Sequence, residues 1–297
     1  MKQEQYKGDL LMVLVICIWG GAYPFSKQLL SEIDVFHIMT YRFLIGFIVC
    51  LILFRKSYRK LNFEIIKCCV IVGVSLFVTF LFMNFGVQYT SASNAGFLSS
   101  LSVIFVQLFT VVRSRRLPGL TTVVSILLTI GGLALLCLDE GIILRLGDLL
   151  SIGCAFFYAV YMMLVKKYER TEDPVILGSL PLLFVGLFSA AGAALTGGFK
   201  LPYDAAGVGA MLYLGILCSG AAFLLQAVAQ SKTSTAHISL IYAAMPIPVA
   251  VFSAFVTKEQ FGIRDIVGII VVIGGILVSE MEGCFRGKLK PSSETPV

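Results

Sequence analysis

Trp19, Tyr23 and Lys27 stand at i, i+4 and i+8, a spacing that puts two aromatic rings and an ammonium on one helical face. Asn84 with Gln88, and Gln226 with Gln230, make two further i, i+4 pairs, and Arg42 stands among apolar neighbours. Rings, neutral amides and a single cation suit an amino acid or a similar small amphipathic metabolite better than a polyvalent ion. Bond-breaking chemistry has no foothold here. There is no HExxH, GxSxG or Walker loop,. The eight cysteines show no CxxC spacing and fall mostly in apolar segments, where Cys behaves as a small apolar residue,. No catalytic residue, metal site or cofactor is expected, and the chain does not read as an enzyme.

The elements that carry these residues must sit in lipid. Of 297 residues, 58% are hydrophobic and 13% charged, and the mean hydropathy is +0.93. A soluble fold needs about a quarter of its residues charged, so that class is excluded. The charge-free run from Cys68 to Val112 exceeds the roughly 20 residues that cross a bilayer and must be two helices. The polar stretch Gln88 to Asn94 marks their turn. The same rule along the chain predicts ten spans: Leu10–Leu30, Val35–Phe54, Cys68–Val87, Ala95–Val112, Leu120–Leu138, Leu149–Val165, Val175–Leu195, Ala205–Ala229, Ala236–Val256 and Ile266–Ser279. Segments this long are helices, because a membrane strand is half the length and alternates polar with apolar. The first is too long for a signal peptide and lacks a small-residue cleavage site.

An even number of spans puts both termini on one side, and the basic residues choose it. Lys and Arg cluster in loops on the terminal side, with only Arg145, Lys200, Lys258 and Arg264 opposite and Lys27 and Arg42 inside spans. Both termini are therefore expected in the cytoplasm. The same clusters account for the net charge of +6 without a nucleic-acid partner,. With no N-x-S/T sequon and no retention signal, a bacterial inner membrane is expected.

The chain repeats itself. Gly8-Asp9-Leu10-Leu11 opens the first span and Gly147-Asp148-Leu149-Leu150 the sixth; Lys27 and Lys166 keep that offset. Asn84 matches Gln226, Gln88 matches Gln230, and Ile130-Gly131-Gly132 matches Ile273-Gly274-Gly275 with a drift of a few residues. This ordered series predicts duplication of a five-helix unit. Because five is odd, the second copy enters from the opposite side, so the predicted fold is an all-α membrane protein of ten transmembrane helices in a 5+5 inverted-topology repeat. Residues 10–138 and 139–282 form the halves, with a cytoplasmic tail at 1–9 and a disordered one at 283–297. Such halves exchange inward-open and outward-open shapes around a midplane site, which points to a secondary transporter. A small-molecule substrate and the lipid bilayer are its expected partners, for a monomer or homodimer.

Trp19-Gly20-Gly21-Ala22-Tyr23-Pro24-Phe25-Ser26-Lys27, then Tyr41-Arg42-Phe43, Ser93-Asn94-Ala95, Met245-Pro246 and Lys258-Glu259-Gln260-Phe261-Gly262, resemble the EamA branch of the drug/metabolite transporter superfamily. The resemblance runs from about Gly8 to Glu280 and specifies fold far better than substrate. It implies a central cavity between the first, third, fourth, sixth, eighth and ninth helices. On that basis Trp19, Tyr23, Lys27, Arg42, Asn84, Tyr158, Gln226 and Tyr242 are the candidate substrate-binding residues, Tyr158 being the repeat equivalent of Trp19. For Trp19 and the tyrosines the bland alternative is packing. Gln88 and Gln230 lie near span ends and are expected at the interface. For Arg42 the stronger expectation is structural pairing with Glu32 or Asp34, because a lone charge in a span is costly; the sharper one is that Arg42 or Lys27 attracts a substrate carboxylate. His37 and His237, near span ends, are expected at the interface.

The first half departs from the family pattern. The proline expected near Val103 is missing, and the acidic residue expected after the fourth span is replaced within Arg113-Ser114-Arg115-Arg116, so the halves are expected to move unequally. No Asp or Glu lies mid-span, which predicts facilitated diffusion or exchange, or weak proton coupling through other groups, rather than a carboxylate-coupled pump. The competing classes are a membrane scaffold or sensor without solute flux and, less favoured, an intramembrane enzyme.

Overall fold

In the computed structural model, residues 2–114, 119–137, 145–169, 171–196 and 198–288 are described, and they form helices with no strand among them. In chain order the helices are α1 (Lys2–Trp19), α2 (Ala22–Leu29), α3 (Val35–Leu53), α4 (Phe63–Tyr89), α5 (Ala92–Ser99), α6 (Ser102–Ser114) and α7 (Leu120–Cys137). There follow α8 (Leu146–Tyr168), α9 (Pro174–Leu195), α10 (Ala205–Leu212), α11 (Ala222–Lys232), α12 (Thr235–Tyr242), α13 (Pro246–Val256) and α14 (Ile263–Lys288). Eight segments among the described residues are long and apolar enough to cross a membrane: Glu4–Leu29, Val35–Leu53, Phe63–Tyr89, Ala92–Arg113, Leu146–Tyr168, Pro174–Leu195, Ala205–Lys232 and His237–Val256. Val123–Gly132 within α7 is a shorter apolar helix. Of the tail expected to be disordered, residues 289–297 lie outside the described residues, and α14 runs on through Lys288.

Helix starts are set by short polar side chains that occupy orphan N–H groups. Asn62 accepts from Ile65 N at 2.8 Å, Ser91 from Asn94 N at 3.0 Å, Asp204 from Gly207 N at 2.6 Å and Ser234 from His237 N at 3.2 Å. Asp148 takes the Arg145 amide at 3.0 Å and the Thr90 hydroxyl at 2.8 Å, joining the start of α8 to the end of α4.

Three spans are broken, each for a readable reason. The first parts at Gly20–Gly21 between α1 and α2, where a Cβ on Gly21 would lie 2.8 Å from the Tyr213 ring. Pro24 sits in the first turn of α2, where a missing N–H costs nothing. The α12–α13 break runs through i+3 bonds, Ala243 N to Leu240 O, Ala244 N to Ile241 O and Met245 N to Tyr242 O, and Pro246 follows as the first residue of α13. The α5–α6 break has the same i+3 pattern, Ser100 N to Phe97 O and Leu101 N to Leu98 O, without any proline. There Ser99 Oγ donates to Ala95 O at 2.7 Å and Ser100 Oγ to Gly96 O at 3.2 Å, and such back-bonding bends a helix.

α7 and α14 pack on each other reciprocally. A Cβ on Gly132 would meet Val272 Cγ2 at 2.7 Å and Gly268 O at 2.8 Å, and one on Gly275 would meet Thr129 Oγ1 at 2.9 Å and Ser125 O at 3.0 Å. Only glycine lets the two backbones approach this closely, the means by which membrane helices associate where lipid removes the hydrophobic drive.

Candidate functional site

At the centre of the bundle the sequence Tyr213–Ala221 between α10 and α11 is wound as a π-helix, a local widening that recurs at functional sites. It leaves carbonyls turned outward that other helices use. Trp19 Nε1 donates to Cys218 O at 2.7 Å, and Tyr213 Oη donates back to Ile18 O at 2.6 Å. Arg42 Nε donates to Ser219 Oγ at 2.8 Å. The α1 end and the middle of α3 are thus pinned to one stretch of backbone.

Around these anchors lies a cavity of about 30 Å³. Trp19 and Tyr23 line it from the first span, Arg42 from α3, Thr79, Phe80 and Met83 from α4, Cys154 and Tyr158 from α8, Phe223 from α11, and Tyr242 and Met245 from the α12–α13 region. The rings interlock edge to face, a favoured aromatic geometry: Trp19 sits 6.0 Å from Tyr158 and 6.1 Å from Tyr242 between centroids, and 5.0 Å from Phe223 at a tilt. Tyr23 and Tyr242 bring their hydroxyls within 3.5 Å of each other. The volume holds about two waters and is far below the several hundred Å³ of an occupied small-molecule pocket, so the walls must part for a solute to enter.

Trp19, Tyr23, Arg42, Tyr158 and Tyr242 are thus brought together; the other three sequence candidates are placed elsewhere. Lys27 Nζ donates to Val87 O at 2.7 Å and Thr90 O at 2.8 Å, capping the carbonyl end of α4, and Glu32 and Asp34 are engaged apart from it: Glu32 accepts from Tyr203 N at 3.0 Å, and Asp34 lies 3.7 Å from the His37 ring. Asn84 is fully buried, its Nδ2 on its own helix at Phe80 O, 2.8 Å. Gln226 stands behind the wall and donates to Tyr158 Oη at 2.9 Å. Gln230 and His37, expected near the interface, are both packed inside the protein. Gln230 is buried, with Nε2 on Met162 O at 3.2 Å, and His37 is buried with its ring on the Gly198 carbonyl. Each amide makes a bond through one atom, while Asn84 Oδ1, Gln226 Oε1 and Gln230 Oε1 are buried without a hydrogen-bond partner.

Arg42 departs from the expected pairing: neither Glu32 nor Asp34 reaches it. It is fully buried, its guanidinium carbon 4.5 Å from the Phe80 centroid and 5.3 Å from that of Phe43. Sequence reasoning missed Phe80, Phe223, Ser219 and the π-helix. The small residues Gly215, Ser219 and Gly220 were the available signal for a stretch where helices approach.

A second cluster closes one end of the bundle. The Glu259 carboxylate, just beyond α13, accepts from Ala92 N at 3.0 Å, Ser93 N at 3.2 Å and the Ser93 hydroxyl. It supplies negative charge to the N-terminus of α5, where the helix dipole favours it.

Apolar helices interlocked around a buried aromatic cavity define a multi-pass membrane protein. The EamA-like transporter family model matches residues 6–138 and 145–281, and the chain belongs to that family. An uncharacterized transporter of Archaeoglobus fulgidus is 27% identical, with 92% of this chain and 97% of the relative covered. The uncharacterized transporter YcxC of Bacillus subtilis is 22% identical over 95% of each chain. One solved crystal structure shares the fold at a TM-score of 0.75 and 16% identity, covering 93% of this chain and 96% of that one.

Proposed function

We propose that the chain is a secondary transporter that carries a small amphipathic metabolite, an amino acid or related compound, across the bacterial cytoplasmic membrane. In this reading ten helices form two five-helix halves of opposite insertion, with both termini cytoplasmic, and the halves alternate access to the aromatic cavity. The observation that carries it is the reciprocity of contacts. Lys27 caps the carbonyl end of α4 through Val87 and Thr90, and Lys166 does the same for α11 through Gln230 O and Thr233 O, each at 3.0 Å. Ser91 starts α5 as Ser234 starts α12, the two breaks share one i+3 pattern, and Gly132 and Gly275 exchange partners across α7 and α14. Equivalent contacts at opposite ends support two half-units that exchange shapes around the site between them.

Among the described residues no Asp or Glu lines the cavity, which favours facilitated diffusion or exchange over proton antiport through a buried carboxylate. The test is counterflow in liposomes, with compounds first selected from a metabolite panel by their thermal stabilisation of the purified protein. Saturable exchange that falls at least about tenfold in Trp19→Ala is the expected result. If compounds that stabilise the protein never cross the liposome, the scaffold or sensor reading replaces transport.

A further inference from the structure

We propose that Arg42 is the anchor for the carboxylate of a monoanionic substrate with an apolar body; the proposal rests on the transporter reading and names its substrate class. Arg42 is fully buried and lines the cavity. Its Nε is taken by Ser219, and both terminal nitrogens are buried without a hydrogen-bond partner. Lys27 and Lys166 behave differently, spending their ammonium groups on helix carbonyls. Among the described residues that line the cavity, Arg42 is the one cation, and it has two donors to spare.

The free donors are the two ends of the guanidinium fork, the pair that receives a planar carboxylate in bidentate fashion. One positive charge on the wall matches one negative charge on the ligand. A dianion would leave a net charge in a low-dielectric site, and a cation would meet Arg42 with no acidic side chain on the wall to offset it,. The rest of the wall, with Trp19, Tyr158, Phe223 and Tyr242, accepts an uncharged apolar body,. A zwitterion fits less well, because its ammonium finds only neutral hydroxyls and ring faces on the wall, and the Phe80 face already carries Arg42,.

The test uses three compounds that share one isobutyl body and differ in charge: 4-methylpentanoate, leucine and 3-methylbutylamine. Thermal unfolding of the purified full-length protein at millimolar ligand is expected to rank them in that order, with the acid bound at least about tenfold tighter than the amine. Arg42→Gln is expected to abolish the shift by the acid, and Arg42→Lys to weaken it about tenfold by losing the fork. The ligand-free melt of each variant shows that it is folded, and the ranking in the unaltered protein needs no variant at all. The proposal is overturned if the amine stabilises as strongly as the acid, if Arg42→Gln keeps the acid's shift, or if the acid gives no shift. Liposome flux separates the two readings. Acid binding through Arg42 without flux defeats the transporter and leaves the anchor, whereas flux of the amine in preference to the acid defeats the anchor and leaves the transporter.

Discussion

Replacing Arg42 by Met is expected to leave the ligand-free protein as stable as before or more so, the reverse of the usual result for a large, fully buried side chain. The charge at helix-centre depth costs about 2.5–3.5 kcal/mol. Against this, the bond to Ser219 at 2.8 Å returns about 1.5 kcal/mol as a charge-assisted bond. The Phe80 and Phe43 faces at 4.5 and 5.3 Å return roughly 1–2 kcal/mol together. Those terms nearly cancel, and the two terminal nitrogens, which have no hydrogen-bond partner, return nothing further. Methionine fills a similar volume with an adaptable apolar chain, and removing the whole charge leaves nothing ionic unpaired. The expected change is a gain of about 0–3 kcal/mol in denaturant or thermal unfolding of the detergent-solubilised protein, accompanied by loss of flux in liposomes. A loss of stability above about 2 kcal/mol would refute the reasoning, because truncation penalties of that size mark a side chain that holds the structure. Function is then the reason the charge is kept.

Five other substitutions test separate parts of the fold. Gly275→Ala drives a Cβ to 2.9 Å from Thr129 Oγ1 and should cost about 1–3 kcal/mol of unfolding free energy,, while Gly274→Ala, with nothing within 4 Å, should stay within about 0.5 kcal/mol,; equal effects would show that α7 and α14 do not meet as described. Trp19→Phe keeps a ring but removes the bond to Cys218 O, a loss of about 0.5–1.5 kcal/mol, that the same unfolding measurement reads, and an unchanged midpoint would remove this bond from the account. In the loop between α3 and α4, burial pushes the Tyr58 phenol up to about 12 from its ordinary 10.0. The folded state therefore holds this proton more tightly, so its contribution is constant below pH 10, declines as pH rises towards 12, and is absent from the pH profile of Tyr58→Phe,. Glu259→Gln removes the anion from the α5 N-terminus, and backbone hydrogen exchange at Ala92 and Ser93 is expected to rise about tenfold,; unchanged exchange would mean that the carboxylate does not hold this end.

The spans were legible because lipid enforces them: no backbone crosses hydrocarbon without a long apolar run, so composition alone located the eight that the described residues contain,. Tyr158 was legible through the repeat, as the equivalent of Trp19, and the two rings meet at 6.0 Å. What the sequence hid depends on which way a side chain turns. Phe80 and Phe223 face the cavity, yet as residue types they are the same as the exposed Phe63 and Phe255. Asn84 and Gln226 announced buried polarity, but whether an amide serves a solute or a neighbouring group follows from packing; here they serve Phe80 O and the Tyr158 hydroxyl. Nearness in sequence suggested Glu32 or Asp34 for Arg42, and the helix start at Val35 sends those carboxylates to Tyr203 N and to the His37 ring instead. The π-helix left no periodic signature, since one widened turn hardly shifts an apolar pattern.

The unlike halves anticipated from the missing proline differ in how their bends are made rather than in whether they bend. The α12–α13 break is fixed by Pro246, which has no N–H to restore and whose ring excludes the preceding turn from straight geometry,. The α5–α6 break is held by two serine hydroxyls on Ala95 O and Gly96 O, bonds of about 1 kcal/mol each, and every residue from Ser99 to Ser102 keeps an amide that can return to an ordinary helical partner. Straightening α5–α6 therefore costs little and straightening α12–α13 costs about 3 kcal/mol or more. Glu259 grips the start of α5, whereas the residue at the equivalent place after α6 is Arg116, whose positive charge has the wrong sign for a helix N-terminus. In the proposed cycle the adjustable bend and the acidic clamp thus lie on the same span, so opening that end requires releasing Glu259, and the motion it frees falls on α5–α6 while the proline-set half turns as a rigid piece.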